Sequence, residues 1–285
     1  MSHFCVSKVL MILLLLTFVK AAKAQKTNGT VKSLVQIEEH FTALVKKKGL
    51  NKAYIEIAAN KGVIFKPNAV NIKNYYNQTN PEEINLTKIP NYAMISKDGY
   101  FGFTSGLIEI TTENNTMYGH YLSIWKASTN KTWELELDAN IKHPKQIADI
   151  ENKFIDPPNY KYPKLIGPKK IKMREDIIFS TDLLFGKALK GSGNKHFNEF
   201  YADDVRLYFP ESLPLISKQE AINFIDKKNQ QIVSNPNFSD RAISGDLAYT
   251  NGKASIGLKK YNYVRVWRAD ENMKWNIIID LYMPE

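Results

Sequence analysis

Residues 263–280 read YVRVWRADENMKWNIIID, and the same frame occurs once before, at 121–138, as YLSIWKASTNKTWELELD. Both copies fit Y-x3-W-x7-W-x4-D. A constant offset of 142 residues pairs Tyr121 with Tyr263, Trp125 with Trp267, Trp133 with Trp275 and Asp138 with Asp280. All 4 tryptophans of the chain fall inside the two copies, which makes a chance match a poor explanation. Solenoid repeats recur about every 20–50 residues, so this spacing means two domains instead.

Moving outward, the segments before each copy also correspond. Asn51-Lys52-Ala53-Tyr54 answers Asn194-Lys195-His196-Phe197, and Thr104-x-Gly106 answers Thr250-x-Gly252. In the first repeat Ser33 is expected to cap a helix whose apolar face holds Leu34, Ile37, Phe41, Leu44 and Val45. Lys46, Lys47 and Lys48 complement its dipole, and Gly49 ends it. A short helix over 52–59 and a strand over 63–65 follow. Residues 68–91 are polar and Asn-rich, and strands are expected over 92–95, 100–112, 118–126 and 133–138. In the second repeat Ile177, Ile178, Thr181, Leu184, Phe185, Ala188 and Leu189 mark a helix ended by Gly191. A further helix, 218–225, is clearer than its counterpart at 72–76. Helices first, then a run of antiparallel strands, is the α+β class, here in two tandem units.

The two ends of the first unit differ from the rest. Lys8, an apolar run of eleven residues (9–19) and Ala22-Lys23-Ala24 form a secretory signal pattern, with cleavage expected after Ala24. The run is too short for a bilayer span, which takes about 20 residues. Export to the periplasm or beyond follows, with no membrane attachment after cleavage. Removing 1–24 takes Lys8, Lys20 and Lys23 and no acid, so the formal charge of +10 becomes +7. The single cysteine, Cys5, is lost too, which leaves neither disulfides nor cysteine chemistry. Residues 143–173 hold 5 of the 12 prolines and read as an extended connector, helical at most over 146–154. The divisions expected are a signal peptide (1–24), a first domain (25–142), the connector (143–173) and a second domain (174–285).

HFNEFYADDVRLYFP (196–210), SKQEAINFI (217–225), SGDLAYTNG (244–252) and the 263–280 hairpin together resemble a SnoaL-like domain of the nuclear transport factor two-like superfamily. The resemblance covers nearly the whole second repeat. It reaches the first at SKDGYFGFTSG (96–106) and GHYLSIWK (119–126), but Ala59-Asn60-Lys61-Gly62 stands where the second has Ala202-Asp203-Asp204. It implies a cone, with helices packed in the hollow of a curved antiparallel sheet and a pocket at the open end. It also implies that single units commonly pair sheet to sheet, so the two repeats are expected to form an internal pseudo-dimer and the chain a monomer. That fold serves isomerases, dehydratases, hydrolases and plain binding modules, so it does not give function.

Period-2 alternation places Tyr261, Tyr263, Arg265 and Trp267 on one strand face, opposite Val264 and Val266. Tyr121, Ser123 and Trp125 are the corresponding set. An aromatic wall with one Arg suits a small hydrophobic or anionic ligand; the same residues would equally make a core with Arg265 paired to an acid. Tyr208, Tyr249, Asp138 and Asp280 complete the candidate pocket. A carboxylate in an apolar pocket can serve as a general base, which makes Asp280 the catalytic candidate. Asp138 shares an alternating face with Glu134 and Glu136, which points it to solvent. Asp203 and Asp204, between helix and strand, suggest a loop or capping role. His40, His120, His143 and His196 lack metal-ligand spacing, and no cofactor or nucleotide motif is present. Export and the lack of an Arg cluster argue against nucleic acid. Two functions stand: a non-catalytic exported module that binds a ligand or partner, and an isomerase, dehydratase or hydrolase of a small hydrophobic substrate in the second domain.

Overall fold

A computed structural model describes residues 25–81, 83–144, 151–157 and 167–285. The expected signal peptide lies outside these residues, as does most of the helix expected over 146–154. The chain is α+β, with helices packed on two separate sheets, one for each repeat. Among the described residues no helix is long and apolar enough to cross a membrane.

The first repeat opens with α1 (Val31–Lys48). Thr30 rather than Ser33 takes the extended cap position. Ser33 lies inside the first turn, buried, and its Oγ donates back to the Thr30 carbonyl at 2.8 Å. Gly49 ends α1 with a φ of 81°, a region open to glycine. Helices α2 (Leu50–Ile57) and α3 (Ile72–Gln78) follow. The strands are β1 (Ala58–Phe65), β2 (Ala69–Asn71), β3 (Asn85–Ile95), β4 (Phe101–Thr111), β5 (Thr116–Ala127), β6 (Trp133–His143) and β7 (Lys153–Ile155). Their order is β2-β1-β6-β5-β4-β3-β7. Two expectations are corrected here. The polar stretch before Tyr92 contains, besides the helix expected at 72–76, the first half of β3, which sequence reading missed because only alternate residues of that half are buried. The connector is not merely extended: β7 pairs in parallel with β3 and widens the first sheet.

The second repeat has α4 (Pro168–Ser192), α5 (Phe197–Phe200) and α6 (Lys218–Lys228), then β8 (Tyr201–Tyr208), β9 (Ile232–Arg241), β10 (Leu247–Ile256), β11 (Lys259–Ala269) and β12 (Trp275–Pro284). The strand order is β8-β12-β11-β10-β9. Helix α4 starts at Pro168, inside the expected connector; a proline in the first turn forfeits no helical hydrogen bond. Ser217 caps α6 through the Glu220 N–H at 3.2 Å.

Both sheets bend by the same two devices. Pro90 faces Gly106 across β3–β4, and Pro236 faces Gly252 across β9–β10, each pair at a register shift. A Cβ on either glycine would lie 2.1 Å from a carbonyl oxygen of the facing strand, so only glycine fits. The second device is a bulge in the hairpin that repeats. It falls at Glu136 in β6 and at the equivalent Ile278 in β12. The extra residue breaks the alternation. Leu135 therefore packs under the helices while Leu137 packs on the opposite face, and Ile277 and Ile279 divide the same way.

Three apolar layers result. One lies between α1–α3 and the first sheet, and one between α4–α6 and the second. The third joins the outer faces of both sheets, with Leu122 and Ile124 of β5 and Val264 and Val266 of β11 among its members. Contacts at its rim are reciprocal. The Lys97 N–H donates to Asp246 Oδ2 and the Ser244 N–H to Asp98 Oδ2, both at 2.9 Å, which is the pattern of an approximate two-fold axis. Asp204 does not lie in a loop. It sits in β8 and binds Lys153 of β7 at 2.7 Å and Arg268 of β11 at 2.8 Å, tying the second repeat to the edge of the first sheet.

Candidate functional site

Each cone holds one buried ionic cluster between its first helix and its sheet. In the second cone Arg265 is fully buried. Its Nε donates to Asp280 Oδ1 at 3.1 Å. One terminal nitrogen donates to Asp182 Oδ1 and to Ser234 Oγ, and the other to the Tyr282 hydroxyl at 3.0 Å. Tyr201 and Tyr282 donate to Asp280 Oδ2 at 2.8 and 3.1 Å, and Tyr263 donates to Asp182 Oδ2 at 2.8 Å. The guanidinium also lies over the rings of Phe185 and Tyr263, at 4.7 and 4.1 Å from their centroids.

The first cone repeats this arrangement with Lys88 as its cation. Lys88 Nζ donates to Asp138 Oδ1 at 2.7 Å and to Ser123 Oγ at 2.9 Å, and lies 3.8 Å from Glu38 Oε2. Tyr54 donates to Asp138 Oδ2 at 2.5 Å. The ammonium lies over Phe41 and Tyr121, at 5.0 and 4.7 Å. Phe41 and Glu38 match Phe185 and Asp182 at an offset of 144, and Tyr121 matches Tyr263 at 142. The charged heads therefore occupy the same place in both cones.

They reach it from different strands. Ser123 on β5 is equivalent to Arg265 on β11. Lys88 pairs with Ile108 on β4 just as Ser234 pairs with Ala254 on β10, so Lys88 is equivalent to Ser234. Cation and serine have exchanged positions between the cones, and each cation still donates to the serine that took its place. Around them a second pair is unchanged: Trp125 Nε1 bonds Thr104 Oγ1 and Trp267 Nε1 bonds Thr250 Oγ1, both at 2.9 Å.

The electrostatics are those of a closed core. Burial pushes Asp280 above the usual carboxylate range, against the pull of Arg265 and two tyrosines. Glu38 is raised by the same cause, opposed by Lys88 and Thr104. Burial beside Asp280 raises Tyr201, and burial beside Asp182 raises Tyr263, so both stay protonated as donors. Two carboxylates share one cation in each cluster, and every member from Arg265, Asp182 and Asp280 to Lys88, Glu38 and Asp138 is at most 4% exposed.

The expected pocket residues thus divide among three places. Tyr263, Arg265, Trp267 and Asp280 meet inside the second cone, and Tyr121, Trp125 and Asp138 inside the first. Tyr208 and Tyr249 do not join them; they face the layer between the sheets. Asp138 does not point to solvent with Glu134 and Glu136, because the bulge at Glu136 turns it inward. Arg265 is closed to a ligand, since it is fully buried and all three of its nitrogens donate to side chains of its own cone. Sequence reading missed Glu38, Asp182 and Lys88. The first two carry a signal, an acid set inside an apolar stripe, Leu34-Glu38-Phe41-Val45 and Ile178-Asp182-Phe185-Leu189. His120 and His143 were read as lacking ligand spacing. They bond each other at 3.1 Å between the sheets, where burial and His143 hold His120 down to about 3. Among the described residues no three acidic, His or Cys side chains come together as a metal site.

The accessible hollows lie away from the second cone's cluster, and one of them reaches the first cone's. One, about 320 Å³, is lined by Tyr54, Lys66, Tyr76, Asp138, Lys142 and Glu211 among others. A second, about 690 Å³, is lined by Phe209, Glu211, Lys228, Lys259, Lys260 and Tyr261 among others. They share Pro210, Glu211 and Pro284 and so adjoin where the two repeats meet.

No family model matches the chain, and no curated protein sequence matches it significantly. Similar solved structures exist. An NTF2-like protein from Cytophaga hutchinsonii shares 14% identity with a TM-score of 0.32, covering 42% of this chain and 100% of its own. A ketosteroid isomerase-like protein from Erwinia carotovora shares 11% at 0.31, covering 40% and 96%. A DUF4783 family protein from Bacteroides uniformis shares 16% at 0.30, covering 35% and 92%. The chain is thus similar to nuclear transport factor two-like and ketosteroid isomerase-like structures, each over less than half of its length.

Proposed function

We propose that this chain is an exported, non-catalytic module. Its two SnoaL-like cones act as one body, an internal pseudo-dimer that is monomeric in solution and binds a small ligand or a partner at its surface hollows. The observation that carries this reading is the closure of the second cone's interior. A general base must reach the proton it abstracts, within about 3 Å or through one water. Asp280, the catalytic candidate, is 0% exposed, and both its oxygens accept hydrogen bonds from Arg265 and two tyrosines. An ion pair of this kind holds a core in one arrangement rather than presenting a reactive group.

The enzyme alternative has one foothold, in the first cone rather than the second: Asp138 and Tyr54 belong to the wall of the smaller hollow. Even there Asp138 is engaged by Lys88, Ser123 and Tyr54. The test is turnover of a panel of 3-ketosteroids, epoxides and polyketide-type β-ketones by the purified chain. We expect no product above background. Turnover abolished by Asp280→Asn or Asp138→Asn, with the fold retained, would replace this reading with the enzymatic one.

A further inference from the structure

The two adjoining hollows are lined by five lysines drawn from both repeats. Lys66 and Lys142 line the smaller, and Lys228, Lys259 and Lys260 line the larger. None of these five has an acidic partner among the described residues, a state they share with exposed lysines such as Lys47 and Lys52; what sets them apart is that they converge on two adjoining hollows. The acids in the walls do not neutralise them. Asp138 is engaged by Lys88, and Glu285 is bound to Lys253 at 2.6 Å. Glu211, on the shared wall, forms no ion pair among the described residues.

Lys228 is held by aromatic faces instead of a carboxylate. Its Nζ lies 4.3 Å from the Phe209 centroid and 4.4 Å from that of Phe224. That contact fixes the ammonium beside the hollow while leaving its N–H donors for another group. Partial burial, together with Lys259, lowers its affinity for a proton. An ammonium set beside like charges at the wall of a hollow is placed to receive an anion.

From this juxtaposition we infer that the trough across the junction of the two repeats binds a small, soluble, multiply charged anion of the phosphate or carboxylate class. The larger hollow is within the range of about 300–1,000 Å³ typical of small-molecule sites. Walls from both repeats line the trough: Lys66 and Lys142 come from the first and the other three lysines from the second. The smaller hollow therefore exists only when the two units are packed together, whereas the larger is lined by the second repeat alone. This inference rests on reading the chain as a binding module, and it names the ligand class.

Isothermal titration of the purified full chain with inorganic tripolyphosphate at low salt tests it, with vesicles of phosphatidylglycerol as the comparison. Saturable tripolyphosphate binding is expected. The Lys259→Gln/Lys260→Gln pair should weaken it about tenfold or more, a factor worth about 1.4 kcal/mol. Lys47→Gln/Lys52→Gln, exposed lysines lining neither hollow, should change it less than about twofold, in line with the small worth of surface charges. Glu211→Gln removes the one unpaired acid and should tighten binding, a gain that a misfolded variant could not produce. No saturable binding, equal weakening by both lysine pairs, or binding to vesicles alone would overturn the inference. Such a failure leaves the non-catalytic reading intact, because that reading falls on turnover.

Discussion

A lysine at position 88 and an arginine at position 265 do the same work from different strands, and the exchange shows what is being kept. Chain length and attachment differ, yet each cation sits over an equivalent Phe and Tyr and between two acids. What the cone preserves is a positive charge at one point, because two buried carboxylates without it would be uncompensated. Moving the cation back should therefore rescue its loss. Arg265→Ser should destabilise the chain by about 3–5 kcal/mol, the cost of breaking a buried pair. Adding Ser234→Lys should recover about 1–3 kcal/mol, a coupling of the size seen for residues in one network. A double-mutant cycle by urea unfolding measures it, and strict additivity of the two changes would refute the equivalence. Half of this cluster was legible in the sequence. Asp138, Asp280, Arg265, Ser123 and Tyr263 stood out through the repeated hairpin, whereas Tyr54, Tyr201 and the acids Glu38 and Asp182 did not. Lys88 was invisible because its surroundings, Asn-rich and polar, look like a loop until alternate burial along β3 is known.

At the level of elements, the hairpin that repeats is also where alternation fails. A strict period of 2 puts Asp138 with Glu134 and Glu136, and one inserted residue sends it to the other face. Bulges leave no composition signal, so the face of a residue beyond one cannot be read from spacing. The helices were read unevenly: Gly49 ends α1 as expected, whereas the cap falls at Thr30 and not at Ser33. The contact between sheets adds a pH dependence. His120 of β5 packs against Tyr208 of β8, with His143 and Arg206 beside it, and its pKa is about 3 against an ordinary 6.5. Between those values the unfolded chain takes up a proton that the folded chain refuses, so stability falls as pH drops from 6.5 toward 3. Asp204 acts in the same direction further down. Burial would raise it, but hydrogen bonds from Arg268 and Lys153 outweigh that and hold it at about 2, so its contribution is lost as pH falls from about 4 toward 2. Thermal unfolding from pH 7 to pH 4 should show a declining midpoint, and His120→Gln should flatten the slope. An identical slope in that variant would remove His120 as the cause.

As a whole molecule, the chain resembles two copies of one unit closed on each other, and sequence made this legible at the coarse level. Two repeats, helices before strands and the α+β class all follow from spacing and period. How the outer sheet faces meet does not, because Val264 and Val266 look the same whether they cover a partner chain or their own first domain. The proposal of an exported pseudo-dimer makes a joint prediction. Material secreted by an expressing host should have an intact mass that begins at Gln25 and should scatter light as one chain per particle. A species retaining residues 1–24, or a stable dimer, would contradict it. The interior of the second cone is a closed ion cluster and not a ligand pocket, and Arg265 is the residue that tests this. Equilibrium urea unfolding of Arg265→Ala is the most direct measurement. The closed cluster predicts a loss of about 3–5 kcal/mol; a variant within about 0.5 kcal/mol of the parent, as surface substitutions usually are, would contradict it.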